Sequence, residues 1–358
     1  MASEFIDEYK RDYHLYIAKK VLFCSICLII AFLVTGFTLS VGNYEIGFLE
    51  SYKILLDHIA GNIATDEIGH MKDHVIWDLR MPRAFAGLFV GAGLGVCGAV
   101  MQSTLKNPLA DPYTTGISSG ASLGATLAIV SGFSLIPGLL GEASIMINAF
   151  IFALIPACVM IFFSVIKRNM SPESTILIGV AVMYVFTAIT TMLKVSATEE
   201  KLAEAYVWSV GTLGKATPDN ILVMGVATII GVIVFTLGSN MINTLAMDDK
   251  NVTALGENPK KIRLLLMFSV SLVTAVLVSF TGTIGFVGLV APHIVRLLIG
   301  SDNRYLIPAS ACFGAMFLLC ADSLAKSLST GLPVGVVTAL VGGPLFLFIL
   351  LKMRKAAW

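Results

Sequence analysis

The chain has 358 residues, of which 56% are hydrophobic and only 13% are charged, and its mean hydropathy is +0.87. About a quarter of the residues of a soluble globular domain are charged, so this composition excludes a soluble protein and predicts an integral membrane protein. The formal net charge of +1 gives no indication of nucleic-acid binding.

The N-terminal segment 1–20 is rich in charged residues and leads into an apolar stretch without a small-residue cleavage site. This pattern predicts a cytoplasmic start, not a cleaved signal peptide. A helix that crosses a hydrocarbon core of ~30 Å needs roughly 20 apolar residues. About ten stretches qualify as spans: 21–41, 84–104, 113–131, 144–166, 174–194, 219–242, 264–281, 284–299, 306–326 and 334–351. They use most of the chain, so we expect one transmembrane domain over 1–358 and no separate soluble domain.

The basic residues predict the orientation of these spans. On the side of the N-terminus the loops and termini carry 16 Lys and Arg residues, and on the opposite side they carry 8. Cytoplasmic loops carry the excess of basic residues, so both termini are predicted to be cytoplasmic.

Three segments interrupt the apolar pattern with glycine, proline and polar residues: 106–125, 281–293 and 329–344. In the first, Pro108 and Pro112 should prevent a regular helix at the inner end of the second span. Irregular backbone at membrane depth is tolerated only inside protein or beside a water-filled cavity, so these segments should face inward.

Interrupted segments in both halves of a transporter indicate inverted repeats. The second to fifth spans start outside and the seventh to tenth start inside. We therefore expect an all-α fold in which helices 2–5 and 7–10 form two inverted four-helix repeats joined by the sixth.

Chemical motifs are scarce. The sequence has no GxxxxGK[ST] phosphate loop, no Ser/His/Asp set and no paired carboxylates, so we expect neither an enzyme nor a bound cofactor. His70 and His74 have the spacing of one helical face but are only a lone pair, and no metal site is predicted. The cysteines all fall within predicted spans, and no disulfide is assigned.

Several motifs give the chain a family resemblance. The stretches "NPLADP" (107–112) and "GFVGLVAPH" (285–293), together with "ALGENPKKIRLLL" (254–266) and "LPVGVVTALVGGP" (332–344), resemble the FecCD-type permeases of ATP-binding-cassette (ABC) importers. That family includes permeases for ferric siderophores, haem and cobalamin. The resemblance implies a ten-helix permease that forms a dimer, binds two cytoplasmic ATPase subunits and receives cargo from an extracytoplasmic substrate-binding protein.

The resemblance also implies a cytoplasmic coupling loop over 246–263, in which two short helices turned sharply at a glycine contact the ATPase. The coupling residues would be Ala254, Leu255, Gly256, Glu257, Asn258 and Pro259. An ordinary solvated loop is the alternative.

On the outer side, the family's R-x-P-R pattern corresponds to Arg80 and Arg83 and implies that these arginines dock the binding protein. Lys326 is a third candidate. Snorkelling from a helix end is the alternative for the arginines.

The family places the fifth and tenth helices along the dimer axis, with the turn before the fifth helix as the inner gate. The corresponding path and gate positions are Ser171, Pro172, Gly179, Val182, Met183, Val336, Thr338 and Gly342. The remaining positions of the family motifs have structural roles by resemblance, with a hydrogen-bonding role favoured for His293 and a helix anchor for Asp322. These positions are Asn107, Pro108, Asp111, Pro112, Gly116, Gly120, Pro292, His293 and Asp322.

The sequence analysis therefore predicts the membrane subunit of an ABC importer for an iron chelate, such as a siderophore or haem, or for cobalamin. The alternative is an ion-coupled secondary transporter with the same inverted repeat.

Overall fold

The computed structural model describes residues 2–42, 44–62, 64–167, 172–328 and 332–352. Within these ranges, side chains are not described for 2–14, 172–173, 175–176, 350 and 352. Ten helices correspond to the predicted spans: α1 (Ala2–Ser40), α4 (Met81–Leu105), α5 (Ile117–Ser131), α6 (Gly141–Ile166), α7 (Pro172–Val195), α9 (Pro218–Leu237), α12 (Pro259–Thr281), α13 (Val287–Ile299), α14 (Asn303–Leu328) and α15 (Val334–Lys352). Five shorter helices connect them: α2 (Phe48–Ile59), α3 (Glu67–His74), α8 (Glu199–Val210), α10 (Ser239–Leu245) and α11 (Asp249–Ala254).

The predicted spans are confirmed as helices. Among the described residues, seven helices are long and apolar enough to cross a membrane, and α5, α13 and the apolar part of α15 are shorter apolar helices. The helix boundaries differ from the predicted ones by several residues, and two of the differences have a clear local cause. The sixth span ends at Leu237 because a new helix begins after Gly238, and the third begins only at Ile117, after a short 3₁₀ turn.

Helix packing has the pairing expected of an inverted repeat. In the first half α5 packs against α6 and α7, and in the second half α13 packs against α14 and α15. Between the halves, α4 lies against α13 and α14, while α12 lies against α5 and α6. The short helices α5 and α13 thus occupy corresponding places, and each follows a residue in the left-handed conformation, Gly116 (φ 92°) and Phe286 (φ 69°).

Close helix contacts depend on glycine. A Cβ on Gly98 of α4 would collide with the backbone carbonyl of Gly288 on α13, and a Cβ on Gly120 of α5 would collide with that of Phe152 on α6. Apolar side chains gain little by leaving lipid for protein, so membrane helices associate through such close van der Waals contact.

The NPLADP motif forms a corner between α4 and α5. Helix α4 ends at Leu105 and is followed by Lys106, which has a left-handed backbone (φ 49°), and the side chain of Asn107 accepts a hydrogen bond from the Leu109 amide at 2.9 Å. Asp111 caps the following 3₁₀ turn by accepting a hydrogen bond from the Tyr113 amide at 2.8 Å, and Pro112 is the first residue of that turn. Burial raises the pKa of the Asp111 carboxyl to about 6. The two prolines and the cap therefore turn the chain sharply where the sequence predicts a break.

Candidate functional site

The three predicted docking cations come together at the end of the bundle that is predicted to face outward. Arg80, Arg83 and Lys326 line one cavity of about 350 Å³, together with Tyr44 and Leu79 at its rim. Arg80 and Arg83 are separated by more than 240 residues from Lys326 in sequence, so only the fold brings the three together.

The centre of this cationic cavity is an ion pair between α4 and α14. The Arg83 guanidinium donates hydrogen bonds to the Asp322 carboxylate, from Nε at 3.0 and 3.1 Å and from Nη2 at 2.8 Å. Lys326 Nζ lies 3.8 Å from the same carboxylate. The Asp322 side chain is fully buried, whereas that of Arg83 keeps 17% exposure toward the cavity. The helix-anchoring role expected of Asp322 thus takes the form of a buried charge pair.

Arg80 has an internal role that the sequence analysis did not include. Its guanidinium donates hydrogen bonds to the carbonyls of Leu39 at 2.7 Å, Ser40 at 2.8 Å and Tyr44 at 2.6 Å, and only 7% of the residue is exposed. These carbonyls belong to the end of α1 and the following connection, where backbone acceptors lack helical partners. In this conformation Arg80 satisfies that helix end and does not present its donors to a docking protein. Arg83, whose side chain keeps 17% exposure, is therefore the more accessible of the two arginines.

The predicted coupling loop 246–263 contains the short helix α11, a turn, and the first residues of α12, and the short helix α10 ends just before it at Leu245. The glycine with positive φ, Gly256 (φ 86°), lies between α11 and α12, where the resemblance implied a sharp turn, although the second helix is the start of the long α12 and not a separate short helix. Asn258 caps α12 by accepting a hydrogen bond from the Lys261 amide at 3.1 Å, and Pro259 is its first residue. Residues 253–258 are all exposed, and Leu255 keeps 64% of its surface. An exposed leucine at the tip of a polar turn is a surface that a partner protein can cover.

Ion pairs fix this turn to the membrane helices. Asp249 of α11 accepts hydrogen bonds from Arg263 Nη2 of α12 at 3.1 Å and from Lys106 Nζ at 3.4 Å. Lys106 also donates to the carbonyl of Met247, and Arg263 Nε donates to the carbonyl of Thr104 at 3.2 Å. The Arg263 side chain is the main cause that holds the pKa of Asp249 below its ordinary value. The NPLADP corner and the predicted coupling loop are therefore one connected polar cluster. This link was not predicted from the sequence, where the available signal is Asp249 together with the basic residues Lys106 and Arg263 at or near helix ends.

Several predicted path residues make close packing contacts within the chain, and their role in the path stays a prediction. Gly179 lies against the backbone of Thr115, and Gly342 lies against the Phe286 ring. Thr338 is fully buried and donates a hydrogen bond to the carbonyl of Gly335 at 3.0 Å. Their small size serves close helix contact, the usual use of small residues in membrane proteins.

The other path positions are accessible or lie outside the description. Val182, Met183 and Val336 are half-buried. Ser171 lies outside the described residues, and of Pro172 only the backbone is described, as the first residue of α7. The neighbouring Tyr184 and Leu340 are more exposed, with 70% and 69% of their surfaces free.

His293 is a buried residue for which a hydrogen-bonding role is predicted. It lies beside Pro292 inside α13, is 1% exposed, and neither ring nitrogen has a hydrogen-bond partner among the described residues. Its nearest aromatic neighbour is Phe346, whose ring meets it edge-on with centroids 5.7 Å apart. Among the described residues no partner for the favoured hydrogen bond is found, and that role of His293 stays a prediction.

Comparison with known proteins agrees with this geometry. The family model described as the FecCD transport family matches residues 27–352. The chain belongs to the FecCD transport family. A protein of Methanocaldococcus jannaschii named as an ABC transporter permease is 41% identical to this FecCD-family chain, over 96% of the chain and 98% of the relative. The hemin transport system permease protein HmuU of Yersinia pestis is 39% identical over 79% of the chain and 84% of that protein.

A solved structure has the same fold. An ABC transporter described as metal-chelate type, in an inward-facing conformation, superposes with a TM-score of 0.79 at 27% identity, covering 93% of this chain and all of the other. This FecCD-family chain is therefore a multi-pass membrane permease of the ABC importer type, not an enzyme. Permeases of this family work with ATPase subunits and substrate-binding proteins.

Proposed function

We propose that this chain is a single transmembrane permease domain over 1–358 that forms a homodimer, binds two ABC ATPase subunits and moves an iron chelate, haem or cobalamin into the cell. The observation that carries the proposal is the exposed turn 253–258, fixed by Asp249, Lys106 and Arg263 to the inner end of α4. A surface that transmits force must be both accessible and rigidly attached, and this turn has both properties. The named hemin relative and the metal-chelate transporter support the cargo class.

The cationic cavity is the proposed docking site for the substrate-binding protein. Arg83 and Lys326 together carry two positive charges against the single carboxylate of Asp322, which leaves the cavity with an excess of positive charge toward its opening. Acidic side chains of a binding protein would be steered to such a cavity, because charge complementarity mainly sets the encounter rate and the register. Both chain termini then lie in the cytoplasm, as the basic residues predict.

ATP-driven uptake in proteoliposomes tests the coupling role. We expect Leu255→Asp to abolish most ATP-dependent uptake and to weaken association with the ATPase, because it places a charge on the most exposed apolar residue of the turn. Ser301→Asp is the matched control, since it adds a carboxylate to an exposed residue of another connection predicted to be cytoplasmic. Equal ATPase association in both variants would contradict the coupling surface.

The same vesicles separate the proposal from the secondary-transport alternative. An ABC importer stops when ATP is withheld and continues when an ionophore collapses ion gradients, whereas a secondary transporter shows the reverse.

For docking, Leu79→Glu places an acid beside the cationic cavity without breaking its ion pair, and Leu140→Glu is the control in a different connection. We expect only Leu79→Glu to slow association of the binding protein.

A further inference from the structure

A second cavity lies between α5, α7 and α8, and the proposed function does not use it. Its volume is about 390 Å³, within the range of roughly 300–1,000 Å³ typical of small-molecule sites. Six of its eleven lining residues are serine or threonine: Ser119, Ser122, Thr187, Thr190, Thr191 and Ser209. Lys194 and Tyr206 complete the polar part of this hydroxyl-lined cavity.

Lys194 is held in a fixed position in the cavity wall. Its Nζ donates a hydrogen bond to the Ser209 hydroxyl at 2.8 Å and lies 4.5 Å from the centroid of the Tyr206 ring. Ser209 in turn donates to the carbonyl of Ala205 at 2.6 Å, which fixes the oxygen that accepts from the lysine. The hydroxyl of Ser122 lies 3.5 Å from that of Ser209 and extends the polar wall toward α5.

This lysine has no carboxylate partner in the part of the chain whose side chains are described. Among the side chains that the structure describes, no Asp or Glu lies within 4.0 Å of Lys194, and its one hydrogen bond leaves two of its three ammonium donors available. Lys194 belongs to α7, a helix that qualifies as a membrane span. Long lysine side chains near helix ends usually extend toward the membrane interface, whereas that of Lys194, in the last turn of α7, lines the cavity and donates to Ser209.

The surrounding hydroxyls can add to the binding of an anion. Thr190 and Thr191 donate to carbonyls of their own helix, at 2.7 and 2.9 Å, and Ser119 does the same at 2.8 Å. A hydroxyl hydrogen rotates, so each can turn from a helix carbonyl to a ligand oxygen. The cavity therefore offers one cation and several adjustable donors around a space large enough for part of a chelate.

We propose that this cavity binds a carboxylate group of an anionic metal chelate and makes the permease favour anionic over neutral cargo. This inference rests on the proposed function, since it concerns the cargo of the same importer. An ammonium binds a carboxylate oxygen or a phosphate oxygen alike as a point charge, so the lipid composition of the test below distinguishes a chelate carboxylate from a lipid phosphate. Lys194 is then a specificity-determining residue. The path positions predicted from the sequence, by contrast, are mostly small or apolar residues.

Direct binding tests the inference without ATP. The purified permease is placed in phosphatidylcholine nanodiscs, and calorimetry measures binding of ferric citrate and of an electrically neutral ferric tris-hydroxamate complex. We expect Lys194→Gln to weaken ferric citrate binding about tenfold, the loss of one charge-assisted hydrogen bond, and to leave the neutral complex unchanged. Lys194→Arg should keep most of the affinity, and Lys53→Gln, which removes an exposed lysine on α2, should have no effect.

Three results would overturn the inference. They are no binding of ferric citrate by the unaltered permease, equal binding by Lys194→Gln and Lys53→Gln, or a Lys194-dependent signal that appears only when the discs contain phosphatidylglycerol. The last would identify a lipid headgroup as the occupant. Uptake by the complete importer, with ATPase and binding protein, is measured in parallel. Failure of ATP-driven uptake with intact Lys194-dependent binding would contradict the proposed function and not the cavity.

Discussion

The ion pair between Arg83 and Asp322 permits a quantitative prediction for Asp322→Asn. The substitution keeps the shape of the side chain but removes the negative charge, so the Arg83 guanidinium and the Lys326 ammonium remain beside it without a counter-ion. Breaking a buried pair by removing one partner costs about 3–5 kcal/mol. The carboxylate is fully buried but Arg83 keeps 17% exposure onto the cavity. Because water reaches the arginine, we expect the lower end, about 3 kcal/mol of unfolding free energy.

Reversible denaturant unfolding in mixed micelles measures this loss. The control is Asp78→Asn, since Asp78 pairs with His74 at 2.7 Å but both side chains are about half exposed. Exposed pairs contribute only about 0–1 kcal/mol. The double variant Asp322→Leu, Arg83→Met should recover part of the loss, because it leaves no buried arginine charge. If Asp322→Asn destabilises no more than Asp78→Asn, the buried pair does not hold α4 to α14.

Two further predictions concern other contacts. Hydrogen bonding to Arg304 lowers the pKa of Asp302 from 3.8 to about 2. The ionised Asp302 therefore stabilises the folded protein above pH 4, and this stabilisation is lost as the pH falls toward 2. The difference in unfolding temperature between the unaltered protein and Asp302→Asn should be constant from pH 7 to 5 and shrink below pH 4. Gly98→Ala should cost about 1–3 kcal/mol by overpacking against the Gly288 carbonyl. In the same unfolding assay Gly285→Ala, which meets nothing within 4 Å, should cost much less.

The fold was largely accessible from the sequence because a bilayer makes length and apolarity decisive. Each predicted span overlaps an observed helix, even where that helix is short, and the span 219–242 covers all but the first residue of α9 and also the start of α10. The boundary errors have local causes. At Gly238 the helical pattern continues through a break between two helices, and at Asp111 the capping aspartate and the following proline form a 3₁₀ turn before α5 begins. Periodicity averages over such turns, and only the hydrogen bonds show them.

The candidate sites were less accessible because they depend on pairs that are distant in sequence. The motifs predicted Arg80, Arg83 and Lys326 at one end of the bundle, and the structure places them there. The pattern could not show that the Arg80 guanidinium donates hydrogen bonds to carbonyls at and just after the end of α1. Likewise the glycine-rich positions Gly179 and Gly342 have the composition of a path lining, yet they are contact points. Glycine composition alone does not distinguish a pore wall from a helix interface, because both uses require a small side chain.

The corner at NPLADP suggests how movement at the coupling loop reaches the membrane. Lys106 directly follows the last residue of α4 and donates hydrogen bonds to the Met247 carbonyl and the Asp249 carboxylate. These contacts fix the proposed ATPase-binding turn to α4, which carries Arg83 at its other end. Helix α4 is also the element that packs against α13 and α14 through glycine contacts too close to allow sliding without separation. A displacement of the turn 253–258 must therefore move α4 as a rigid rod or break the Lys106 contacts. In the first case the displacement reaches the cationic cavity directly, so ATPase and binding protein would act on opposite ends of one helix.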